Sequence, residues 1–134
     1  MRVLVVEDDP DNLQSVREAA EDAGFTVETA ITGVAGVELF SKTFPDLVLS
    51  DLVLPDIDGL EVMERIKKLD ASVPVIIMTA YGSVESGVRA MREGAYDYVT
   101  KPLDLDDIQS TLNRAYEVSR LRRQVTKLSA SVQE

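Results

Sequence analysis

Nothing limits the architecture of this chain more than the order of its apolar runs. RVLVV (2–6), FTVETA (25–30), DLVLS (46–50), VPVIIM (73–78) and AYDYVT (95–100) are short and mostly β-branched, and amphipathic stretches separate them. Parallel strands need a crossover connection, and a helix supplies it, so this alternation predicts an α/β fold around a parallel sheet. The runs LVV, LVL and VIIM are continuously apolar, as strands covered on both faces must be, which places them at the centre. Helix one has Asp9 as N-cap, Pro10 in its first turn and an apolar repeat of Leu13, Val16, Ala20 and Ala23, and it stops at Gly24. Helix two is expected over 33–42, helix three over 58–69 with Asp58 as N-cap, and helix four over 83–93, closed by Gly94. The stripe Val84, Val88 and Met91 is expected to face inward. The last helix, after TKPLDLDD, does not stop where a compact domain should; its pattern continues toward Val132.

The 134 residues suit one domain, and a 45% hydrophobic content is enough for a core. Cysteine and histidine are both absent. That removes disulfides, thiolate and imidazole metal sites, cysteine nucleophiles and any histidine base, leaving carboxylates, hydroxyls and lysine for chemistry. Residues 1–116 carry 10 basic and 22 acidic side chains, whereas residues 117–134 carry 4 basic and 2 acidic. An acidic body repels phosphate backbones, so direct nucleic-acid binding by this segment is not expected. No apolar run reaches the ~20 residues that span a bilayer, and the first residues lack a signal-peptide core, so a cytoplasmic location without membrane insertion is expected.

Two of the central runs end in acids. VLVV leads into Glu7, Asp8 and Asp9, and LVLS leads into Asp51. In an open parallel sheet the ligand crevice lies outside the carboxyl ends of the strands, where the strand order reverses. If runs one and three are neighbours there, Glu7, Asp8 and Asp51 converge. Like charges that close resist joint ionisation without a cation among them, and an all-oxygen donor set suits Mg²⁺. Each piece alone has an ordinary explanation: an acidic pair is most often a solvated turn, a strand-end Asp begins a loop, Thr79 bonds backbone and Lys101 is solvated. Asp9 is assigned to that ordinary role. The functional case rests on coincidence, because run four ends at Thr79 and run five at Lys101, bringing a hydroxyl and an ammonium to the same rim.

The segments VLVVEDDP, DLVLSDLVLPDIDG, VIIMTAYG and YDYVTKP match, in order and spacing over residues 1 to about 116, the motifs of the receiver domain of two-component response regulators, which this chain resembles. The resemblance implies a flavodoxin-like (CheY-like), doubly wound, five-stranded parallel sheet of order 2-1-3-4-5. It makes Glu7 and Asp8 the acidic pair and Asp51 the phosphoacceptor. Thr79 becomes the conserved-type hydroxyl, Lys101 the lysine and Tyr98 the switch aromatic, and the Lys101–Pro102 bond is implied to be cis. Mg²⁺ would be held by Asp8, Asp51 and the backbone carbonyl of Val53. Glu7 stands where Asp is commoner, a departure that bears on an indirect or water-mediated contact with the metal, and direct ligation is expected to fall to Asp8. The implied partner is a sensor histidine kinase, whose phosphohistidine donates to Asp51.

Two other readings compete. In a Mg²⁺-dependent phosphohydrolase with Asp51 as nucleophile, the general acid of the haloacid-dehalogenase type would sit two residues on; that position is Val53. A degenerate receiver kept for dimerisation would not need the full set of acids, hydroxyl and lysine. Within receivers, YGSVESGVRAMREGAYDYVTKPLDLDDI resembles those of NtrC-type activators of sigma-54-dependent transcription, in which ATPase and DNA-binding domains follow. Residues 1–116 are therefore assigned to the receiver and 117–134 to a coiled-coil linker. In that linker Val118, Leu121, Val125, Leu128 and Val132 alternate three and four apart. Val at each a position and Leu at each d favour a parallel two-stranded coil, with Glu117 and Arg122 placed for an interchain ion pair, and imply a homodimer. Packing of this helix on its own or a following domain is the alternative.

Overall fold

A computed structural model of the chain describes residues 1–79 and 84–133, with side chains described through residue 124. Five strands and five helices alternate: β1 (Arg2–Val6), α1 (Pro10–Asp22), β2 (Thr26–Ala30), α2 (Gly33–Thr43), β3 (Leu47–Asp51), α3 (Gly59–Leu69), β4 (Val75–Thr79), α4 (Val84–Arg92), β5 (Asp97–Thr100) and α5 (Leu105–Gln133). The strands form one parallel sheet of order β2-β1-β3-β4-β5. The three continuously apolar strands are its centre, and β3 and β4 are buried along their whole length.

Alternate residues of each central strand feed two cores. Leu4, Val6, Val48, Val75 and Ile77 pack under α2, α3 and α4, while Val3, Val5, Leu47, Leu49, Ile76 and Met78 pack under α1 and α5. This two-sided burial explains the absence of polar alternation in these strands. The helix starts are fixed locally. Asp9 accepts the Asn12 N–H, Thr32 the Ala35 N–H and Asp58 the Glu61 N–H, each satisfying a backbone donor that the first turn leaves unpaired.

Helix α4 corrects one expectation. Val84, Val88 and Met91 are exposed, and the buried residues are Gly87 and Ala90. A three-and-four apolar period marks a stripe but not the side of the helix that meets the sheet; here the two smallest residues do, which lets α4 lie close to β4 and β5. Ser83, the expected start of this helix, lies outside the described residues.

The first turns of α5 pack through Ile108, Leu112 and Ala115, and Tyr116 meets Phe25 edge-on at 6.1 Å. Beyond Tyr116 the helix still leans on its own domain. Val118 is half-buried and Ser119 buried, the Arg122 guanidinium donates to the Ser72 carbonyl at 3.1 Å, and Arg123 pairs with Asp46. Glu117 pairs with Arg120 along the same helix, at 2.8 Å. Leu121 is exposed. The side chains of Val125, Leu128 and Val132 lie outside the described residues. Among the described residues no helix is long and apolar enough to cross a membrane.

Candidate functional site

The carboxyl ends of β1, β3, β4 and β5 bring the predicted polar residues to one rim. The Glu7 N–H donates to Ala30 at 3.0 Å, continuing the β1–β2 ladder past the last strand residue and holding the Glu7 side chain inside, fully buried. Asp8 points to solvent and Asp51, at the end of β3, is buried. Glu7, Asp8 and Asp51 each offer a carboxylate oxygen within a cluster no wider than 4.8 Å. Lys101 reaches in from the end of β5. Its Nζ lies 2.9 Å from Asp51 Oδ2 and 3.2 and 3.3 Å from the two Glu7 oxygens. The Lys101 backbone N–H is held by the Thr79 carbonyl at 2.9 Å, and the Lys101–Pro102 peptide is cis.

Charge in this cluster is unevenly compensated. Burial drives the Glu7 carboxyl up to about 7, and the neighbouring Asp51 adds to the shift, while Lys101 opposes it. Burial likewise pulls the Lys101 ammonium down, but contact with Asp51 and then Glu7 outweighs that pull and leaves it raised. Lys101 is thus a firm cation, whereas Glu7 is a carboxyl that another cation would help to ionise. Three oxygen-bearing acids at one solvent-reachable point, with no nitrogen or sulfur donor among them, fit a hard divalent ion.

Thr79 is fully buried at the end of β4, and its hydroxyl has a long contact, 3.5 Å, with the Val99 carbonyl. Tyr98 is half-buried on β5, paired in register with Ile77. Its ring lies on the backbone of α4 at Gly87, where a Cβ would come within 2.6 Å of two ring carbons. The Val53 side chain is exposed, and its N–H approaches Asp51 Oδ1 at 3.4 Å.

Two residues near the site were not singled out from the sequence. Asn12 Nδ2 approaches Glu7 Oε1 at 3.4 Å from the first turn of α1, a position that the N-cap at Asp9 and the helical turn could have predicted. Asp56, in the loop that follows Asp51, accepts the backbone N–H groups of Gly33 and Val34 at 2.8 and 2.9 Å. Those partners are more than 20 residues away, and nothing local to Asp56 signals them.

Residues 3–113 match the family described as Response regulator receiver domain. The chain belongs to the response regulator receiver domain family. Similar relatives are the regulatory protein AtoC of Escherichia coli K12, 35% identical over 127 residues, and the transcriptional regulatory protein ZraR of Klebsiella oxytoca, 40% identical over 119 residues. These alignments cover 95% and 89% of this receiver chain but 28% and 27% of those proteins, so the chain spans little more than a quarter of their length. Among solved structures, a response regulator receiver domain protein from Clostridium thermocellum superposes with a TM-score of 0.84 at 30% identity, covering 90% of this chain and 97% of that one. NtrX from Brucella abortus superposes with a TM-score of 0.87 at 33% identity, covering 95% of this chain and 29% of that one. As a receiver, the chain is a regulatory phosphoacceptor domain of two-component signalling with the CheY-like fold.

Proposed function

We propose that Asp51 is the phosphoacceptor of this receiver and that a sensor histidine kinase is its donor. The observation that carries the reading is the 2.9 Å contact between Lys101 Nζ and Asp51 Oδ2 inside a cluster of three acids. An Asp51 carboxylate oxygen attacks phosphorus; the bond from phosphorus to the kinase's imidazole nitrogen breaks, and its electron pair stays on that nitrogen. The product is an aspartyl phosphate. Asp8, Asp51 and the Val53 carbonyl would hold Mg²⁺, with Glu7 beside them, and when bound the ion supplies positive charge against the phosphoryl oxygens. Lys101 supplies a second positive charge by turning from the carboxylates toward those oxygens.

The switch follows from Thr79 and Tyr98. The Thr79 hydroxyl gives up little when it leaves a 3.5 Å contact for a phosphoryl oxygen. Tyr98 then leaves its seat on Gly87 and moves inward, shifting the population of the surface formed by α4, β5 and α5. The exposed Val84, Val88 and Met91 are the apolar part of that surface.

The likeness to AtoC, ZraR and NtrX supports an NtrC-type regulator of sigma-54-dependent transcription, acting in the cytoplasm. There, ATPase and DNA-binding domains would follow residues 117–134. The α5 extension joins two copies through Val118, Leu121, Val125, Leu128 and Val132. Exposure of Leu121 supports this seam, while the Arg122 and Arg123 contacts with Ser72 and Asp46 orient the helix as it leaves the receiver. Incubation with acetyl phosphate and Mg²⁺ tests the reading. It predicts a stoichiometric, acid-stable acyl phosphate; sustained turnover of the donor would instead indicate a phosphohydrolase, and no adduct a degenerate receiver.

A further inference from the structure

The loop between β3 and α3 is seven residues long, Leu52 to Asp58, and is fastened at two points. At its base the Gly59 N–H donates to the Leu52 carbonyl at 2.8 Å. At its tip Asp56 holds α2 with both carboxylate oxygens, Oδ1 to the Gly33 N–H at 2.8 Å and Oδ2 to the Val34 N–H at 2.9 Å. These are donors that the first turn of a helix leaves unpaired, and the positive end of α2 favours a carboxylate there. The Asp56 carboxyl is held below its ordinary range, chiefly by the Val34 N–H, as expected if the anion is the form that binds. Ile57 seals the same junction. A Cβ on Gly33 would lie 2.5 Å from Ile57 Cγ1 and 2.9 Å from Val62 Cγ2, so α2 starts in direct contact with the loop and with α3.

Between these fastenings lie Val53, Leu54 and Pro55 alone, and Val53 is the residue whose carbonyl would help hold Mg²⁺ under the proposed function, on which this inference rests. We propose that Asp56 is a positioning residue for the metal site: by pinning the loop tip to the start of α2 it fixes where the Val53 carbonyl stands relative to Asp51. Asp56 touches none of the reacting atoms and acts through three residues of backbone. The helix has its own separate cap, since the Thr32 hydroxyl accepts the Ala35 N–H at 3.1 Å. Weakening the start of α2 and releasing the loop can therefore be done independently.

The test compares Asp56→Ala, Asp56→Asn and Thr32→Ala in the full chain, titrated with MgCl₂ by isothermal titration calorimetry, with amide hydrogen exchange at Val53 measured without metal. Asp56→Ala is expected to raise the Mg²⁺ dissociation constant about tenfold, the low end for a group that orients ligands without binding the ion. It should also speed exchange at Val53. Asp56→Asn, which keeps one acceptor oxygen, should fall between it and the parent and covers the case in which the alanine variant does not fold. Thr32→Ala should leave both readouts unchanged while lowering thermal stability. Unchanged Mg²⁺ affinity in both Asp56 variants, or an equal loss in Thr32→Ala, overturns the positioning role. Failure of the parent chain to bind Mg²⁺ overturns the metal-site reading itself, and the proposal with it.

Discussion

At the carboxyl rim of the sheet Glu7, Asp8 and Asp51 crowd together with Lys101, and burial leaves Glu7 reluctant to ionise. At the opposite edge Asp46 accepts the Arg2 backbone N–H at 2.7 Å and pairs with the Arg123 side chain, while Arg2 also pairs with Glu28 at 3.2 Å. Both places join chain segments far apart in sequence through charge. The amino edge is matched donor to acceptor and partly solvated, as a structural fastening should be. The rim holds more negative charge than its lysine neutralises, a state that costs stability and stores affinity for cations. The difference marks which end of the sheet is built to bind something.

Removing the lysine should produce the largest effect. Lys101→Met leaves two buried carboxylates without their ammonium and should cost on the order of 3 kcal/mol in urea unfolding without metal, with protonation of Glu7 limiting the loss. An equally stable variant would mean that the rim is not short of positive charge.

Glu7 gives the next largest effect. The folded state holds a proton on Glu7 up to about pH 7, whereas the unfolded chain releases it near the ordinary value of 4.5. The folded state therefore binds more protons between those values, so metal-free stability should fall as pH rises across that window and level off above it. The shift corresponds to roughly 3 kcal/mol. Glu7→Gln should flatten this part of the profile in denaturation curves taken from pH 5 to 8. An unchanged pH slope in the variant would assign the proton elsewhere.

Asp8→Asn should act more gently, because Asp8 is exposed. It relieves repulsion and raises metal-free stability by roughly 0.5 to 1 kcal/mol, while removing most of the thermal shift that Mg²⁺ induces. A full Mg²⁺ shift in this variant would move the ion to another site. Arg123→Ala, at the matched edge, should cost ~1 kcal/mol or less and should not change Mg²⁺ binding. A large loss there would erase the contrast between the edges.

These contrasts also show what was legible in the chain. The alternation of strands and helices, the helix caps and the strand-end residues could be read because each is set locally, by β-branched runs, by Asp9 and Asp58, and by acids placed where apolar runs stop. The order of the strands in the sheet came only with the family resemblance. The outward face of α4 was misread because the apolar period does not reveal that Gly87 and Ala90 give the closer approach to the sheet. Asp56 escaped because its partners, Gly33 and Val34, are supplied by the fold. The charge state of Glu7 escaped for a related reason: burial sets it, and the letters Glu-Asp-Asp do not record burial.

Asp51 carries the proposed chemistry. Treatment with acetyl phosphate and Mg²⁺, read by intact-protein mass, should add one phosphoryl group to the parent chain and none to Asp51→Asn. An undiminished adduct on Asp51→Asn would contradict the assignment of Asp51 as the phosphoacceptor.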